Sequence, residues 1–110
     1  VQEDPKAYQV FNNVGIIQMK LGDTDKAVKA LQHSIELNPD YYPAYFNLAR
    51  VYEMTGKIDL ASRQYQIIRS KASKRPEDRK IVEAVDRRLA ELKKDIEGAN
   101  SPPLQRGVRR

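Results

Sequence analysis

The 110-residue chain has no cysteine, no tryptophan and a single histidine. Without thiols, a disulfide framework and a thiolate nucleophile are both excluded. One histidine and no cysteine also leave a tetrahedral zinc site without its usual donors. No apolar run approaches the ~18 residues that a membrane-spanning helix needs, and no secretory h-region is present. The first residue is valine rather than methionine, so the sequence is expected to be a segment of a longer protein; it assigns no cellular compartment. Glycine is scarce, at five residues, and none sits in a phosphate-cradling loop. No nucleophile–base pair or metal-ligand spacing occurs either. An enzyme is not expected, nor is any cofactor. The acidic pairs Asp23/Asp25 and Glu77/Asp78 stand at helix starts, where capping and the helix dipole explain them. Asn-Gly turns and sustained β-branched alternation are missing as well, which removes the main signals for strands.

Charge is present but unevenly placed. Residues 1–70 hold eight basic and eight acidic side chains, while residues 71–110 hold twelve basic and seven acidic, so the whole net charge of +5 lies in the second part. This is a neutral body with a basic C-terminal end, not a uniformly basic nucleic-acid domain.

The periodicity is helical throughout. Val10, Phe11, Val14, Ile17 and Leu21 recur at spacings of three and four, up to Gly22. Ala27, Val28, Leu31, Ile35 and Leu37 follow, up to Asn38-Pro39, where proline cannot continue a helix. The cycle repeats with Tyr45, Leu48, Ala49, Val51 and Tyr52 up to Gly56, then with Ile58, Ala61, Tyr65 and Ile68. These runs predict helices over about 6–20, 24–37, 42–55 and 58–72. A fifth helix, over about 77–97, starts with Pro76 and stops at Gly98. Ile81, Val85, Leu89, Leu92 and Ile96 form a narrow apolar stripe on it, on an otherwise charged surface. The last stretch, ANSPPLQRGVRR, has no periodicity and reads as a disordered basic tail over 99–110.

Two of these cycles superpose at an interval of 34 residues: Asn13 on Asn47, Val14 on Leu48, Gly15 on Ala49, Gly22 on Gly56, Asp25 on Asp59 and Ala27 on Ala61. A helix–turn–helix unit of 34 residues resembles the tetratricopeptide repeat (TPR) family. Its small positions fall on Gly15/Ala49 and Ala27/Ala61, its bulky positions on Phe11/Tyr45, Gln18/Tyr52 and Leu31/Tyr65, and its closing proline on Pro39. The expected fold class is therefore all-α, an α-solenoid of two TPR-like repeats (about 8–41 and 42–75) with a long capping helix (about 76–98), one domain over 1–98. What recurs is packing: small residues where two helices cross closely, glycine where the chain reverses. What drifts is free to recognise. Gln18 departs from the usual aromatic and points to a less well packed first repeat. The N-terminal repeat face has no evident cover, and either further repeats or a partner is expected there.

The resemblance implies a non-catalytic scaffold that binds a peptide or helix of a protein partner in a concave groove lined by the first helix of each repeat. The implied groove residues are Gln9, Asn12, Ile16 and Met19 from the first repeat and Phe46, Asn47, Arg50 and Glu53 from the second, with Lys80 and Arg87 completing the wall. Asparagine can meet a peptide backbone through both donor and acceptor, and arginine can fork onto a carboxylate. Some family members clamp the C-terminal carboxylate of chaperone tails with Lys, Asn and Arg. Only Asn47 matches that clamp here, since Asn12 and Ile16 occupy the other expected places. A second reading is self-assembly. A fifth helix of 77–97 would overhang the shorter helices and leave Leu92 and Ile96 uncovered, so that Leu89, Leu92 and Ile96 form a seam for a homo-oligomer. The tail RGVRR offers contact with an anionic membrane, but it lacks the interleaved aromatics of a nucleic-acid platform. His33 reads as a surface residue.

Overall fold

The computed structural model describes residues 4–100, with side chains up to Asp95. In that span the chain forms α1 (Ala7–Lys20), α2 (Thr24–Leu37), α3 (Tyr42–Met54) and α4 (Ile58–Ala72), then a 3-10 turn (Pro76–Asp78) and α5 (Arg79–Asn100). No strand occurs among the described residues. The fold is an all-α solenoid: α1 packs on α2, α2 on α3, α3 on α4 and α4 on α5, while α1 and α3 also touch directly. Of the tail expected over 99–110, residues 99 and 100 continue α5 and 101–110 lie outside the described residues, as does the side chain of Ile96.

Local chemistry sets the ends of the helices. Gly22 and Gly56 close α1 and α3 with φ of +84° and +78°, a left-handed geometry that costs a residue with a Cβ far more than glycine. After the first of these turns, Asp23 caps α2 by accepting the Lys26 N–H at 3.1 Å, which satisfies an otherwise orphaned donor. Asn38 ends α2 in extended geometry before Pro39. Pro43 falls in the first turn of α3, where its missing N–H is harmless.

Close helix crossing is visible at Gly15. A Cβ there would lie 2.5 Å from Leu31 Cγ, and Leu31 is itself fully buried. The equivalent Ala49, and Ala27 and Ala61 on the partner helices, are completely covered. Hydrogen bonds tie the polar groups inside: Ser34 Oγ donates to the Tyr8 carbonyl at 2.7 Å, and Tyr45 Oη to the Pro39 carbonyl at 2.7 Å. Gln18 is only half-buried, whereas its counterpart Tyr52 is buried.

The fifth helix departs from expectation in three respects. The acidic start at Pro76–Asp78 is a 3-10 turn, and α5 proper begins at Arg79. It also runs through Gly98 to Asn100; one glycine costs a helix only about 1 kcal/mol. Most importantly, Leu92 does not overhang. It is 1% exposed and belongs to the same core as Val85, Ile68 and Tyr52, with Leu89 packed partly against it. The reason is register. The short connection makes α5 antiparallel to α4, and α4 has 15 residues, so an equal length of α5 starting at Arg79 reaches residue 93. A seam of Leu89 and Leu92 for self-association is thereby withdrawn, because both serve the chain's own core.

Candidate interaction surface

The residues implied to form a groove all lie on α1, α3 and α5, but the structure divides them into two sets. One set is structural. Asn12 and Asn47 are 4% and 9% exposed, and Asn47 Nδ2 donates to Asn12 Oδ1 at 3.0 Å. They join α1 to α3, so neither amide keeps both of its groups for an extended ligand. Met19 is 5% exposed and belongs to the core. These three are corrected from ligand contacts to packing residues. An amide pair that holds two helices together and an amide that reads a peptide have the same side chain, and only the neighbour distinguishes them.

Glu53 is also committed, by a link that spans three helices. Tyr65 of α4 donates to Glu53 Oε2 at 2.7 Å, and Arg88 of α5 donates to both carboxylate oxygens. Arg88 reaches Glu91 as well, at 2.7 Å. Burial pushes the Glu53 carboxyl up, but the hydrogen bonds from Arg88 and Tyr65 outweigh it and hold the group below the ordinary glutamate range. The same link, after burial, lifts the Tyr65 phenol to about 12. Arg88 is pushed further above its usual value by its bonds to Glu53 and Glu91. Arg87 and Lys80, the α5 residues implied by the family resemblance, do not take part in this link. Both are exposed, and Lys80 lines a separate cavity of about 510 Å³ at the α4–α5 connection, beside Ala72, Arg75 and Val82. No local pattern marks the link from Arg88 to Glu53, which lies 35 residues away.

The second set stays accessible. Gln9 and Arg50 are exposed, and Ile16 and Phe46 are half-buried. Phe46 rests edge-on against Tyr65, with ring centroids 6.0 Å apart. Among the described residues no salt bridge involves Arg50. Elsewhere on the surface, His33 stacks edge-on against Phe11 with centroids 4.2 Å apart, and its Nδ1 lies 3.2 Å from Glu36 Oε1.

The profile of the tetratricopeptide repeat family matches residues 18–80. The chain belongs to the tetratricopeptide repeat family. The TPR chain is 30% identical over 68 residues to human superkiller complex protein 3, a match that takes in 62% of this chain and 4% of that protein. It thus spans only a small fraction of the length of this curated relative. Among solved structures, it is similar to the crystal structure of PcrH in complex with the chaperone binding region of PopD. The TM-score is 0.72 at 16% identity, covering 84% of this chain and 69% of that one. At that identity the likeness concerns the TPR fold.

Proposed function

We propose that this TPR segment is a non-catalytic protein-interaction module, and that it takes a peptide or helix of a partner on the face shared by α1 and α3. One observation carries the reading: packing leaves Gln9, Ile16, Phe46 and Arg50 at least partly accessible on these helices, while Asn12, Asn47, Met19 and Glu53 beneath and beside them are fixed. A floor of half-buried Ile16 and Phe46 offers apolar contact, and Arg50 supplies a cation with no ion-pair partner among the described residues, suited to a carboxylate. The fixed asparagines and the Glu53 link pre-organise that face, which lowers the ordering cost of binding. The PcrH fold, with a region of PopD bound, is a precedent for such use of the architecture.

Selection from a displayed peptide library, with Arg50→Glu and Ile16→Glu as counter-screens, tests this reading. Arg50 is exposed and Ile16 half-buried, so circular dichroism first checks that each variant keeps the helical fold. Selected peptides are expected to contain an acidic residue next to apolar ones and to lose roughly tenfold in affinity or more for Arg50→Glu, about 1.4 kcal/mol. Peptides that bind both variants as tightly as the parent would place recognition elsewhere.

A further inference from the structure

The outer side of α1 carries Val10, Val14 and Ile17, and Leu21 at its C-cap continues the row, spaced by four, three and four residues. They are 57%, 36%, 55% and 73% exposed, an apolar stripe along the whole helix where solvent-facing polar residues would be ordinary. The chain contains its own control. Thirty-four residues later, the first three of these places in α3 hold Ala44, Leu48 and Val51, all at most 2% exposed. α3 is packed between α2, the second helix of the hairpin in front, and its own partner α4, and Ile35 of α2 lines one cavity with Leu48 of α3 and Ile67 of α4. The two helices thus present corresponding apolar positions, and among the described residues only α3 has the second helix of a preceding hairpin packed on it.

The approach to α1 is copied too. In front of α3, Asn38 Oδ1 accepts the Asp40 N–H and the Asn38 carbonyl accepts the Tyr41 N–H, each at 3.1 Å. In front of α1, Asp4 Oδ1 accepts the Lys6 N–H at 2.8 Å and the Asp4 carbonyl accepts the Ala7 N–H at 2.9 Å. Every residue in the second set precedes its counterpart by 34. Pro5 likewise precedes Pro39, and Val1 precedes Ile35. The junction that connects a second helix to the next first helix is therefore built twice.

We propose that the residues immediately ahead of Val1 in the natural protein form another helix hairpin, whose second helix runs into the Asp4–Pro5 junction and lies on Val10, Val14, Ile17 and Leu21. That helix carries apolar side chains at the places held by Val28, Leu31 and Ile35 in α2. Head-to-tail stacking of a second copy is not available, because α2 is already occupied by α3, and α4 by α5. The proposal is independent of the binding face, which uses other residues of α1.

The 110-residue chain has no cysteine of its own, and in the longer protein any cysteine ahead of Val1 is changed to serine before the test. Ile17→Cys is made in the 110-residue chain and in the natural protein with its residues ahead of Val1, and the thiol-labelling rate is read in each. Lys29→Cys, on the exposed side of α2, is the control. Labelling at position 17 is expected to be roughly tenfold slower or more in the longer protein, with the control unchanged, because a buried thiol reacts only on local opening. Equal rates in the two forms would overturn the proposal. So would protection of position 17 in the 110-residue chain that grows with protein concentration, which would assign the stripe to a second copy. A natural protein that begins at Val1 would overturn it as well.

Discussion

Replacing Leu92 by alanine removes a side chain that is 1% exposed and belongs to the core. Buried Leu→Ala changes cost about 2–5 kcal/mol, the spread reflecting how far the site can collapse. Leu92 lies towards the far end of α5, and its neighbours Glu91, Lys93 and Lys94 are exposed, so partial collapse is open to it and the lower half of that range applies, about 2.5–3 kcal/mol. An unfolding entropy of about 2 cal/mol/K per residue gives a domain of this size about 0.2 kcal/mol/K, so the melting temperature should drop by roughly 13 °C. Each unit of a repeat array contacts only its neighbours, so the loss should also be local. Amide exchange should accelerate in α5 and the adjoining part of α4, and much less in α1 and α2. The assay is thermal unfolding by circular dichroism together with hydrogen exchange, repeated at several protein concentrations, with Lys93→Ala as the exposed control. Because the cover is intrachain, the loss should not depend on concentration. A loss below about 1 kcal/mol, or a wild-type midpoint that climbs with concentration while Leu92→Ala stays flat, would show that Leu92 is covered by another molecule and that the register argument is wrong.

Three further outcomes follow from the packing. Gly15→Ala places a methyl group against the fully buried Leu31 and should destabilise by about 1–3 kcal/mol, measured by urea unfolding; a neutral result would mean that α1 and α2 separate freely. Gly56→Ala meets no atom within 4 Å but must adopt φ near +78°, so it should cost about 1–2 kcal/mol through backbone strain alone; a stabilised variant would contradict this. Glu53→Gln should cost about 1–3 kcal/mol at neutral pH, the scale of a hydrogen bond to a charged group. Because the folded carboxyl titrates below its ordinary value, its contribution is complete above the unfolded pKa and disappears as pH falls through the folded one. Wild type and Glu53→Gln should therefore converge in acid, and a gap that persists there would remove the charge from the explanation.

The four repeat helices were legible because each writes its own period and its own stop. Gly22, Pro39 and Gly56 mark chain reversals whose geometry few other residues accept, and α1–α4 end within a residue or two of the predicted limits. Gly15 and Ala49 were legible for the same reason: a close crossing tolerates little else. The surface was less so. Arg88 and Glu53 are far apart in sequence, and their meeting depends on how α5 slides along α4. That slide is fixed by the 3-10 turn and by where α5 begins, neither of which hydrophobic spacing encodes; hence Leu92 was placed outside a core that contains it. Asn12 and Asn47 were assigned by residue type alone, and residue type does not say whether an amide faces a ligand or another amide.

The link between Glu53, Tyr65 and Arg88 also has a mechanical side. A tension applied along the axis of α5 loads the Arg88–Glu53 contact together with the Val85 and Leu92 packing, all in shear, and transmits directly into α3. The same tension applied sideways at the Asn100 end peels Leu92 away first and Arg88 only afterwards. The joint is therefore stiff to a lengthwise pull and weak to a sideways one, and the direction of a pull at the end of α5 decides how much of it reaches α3.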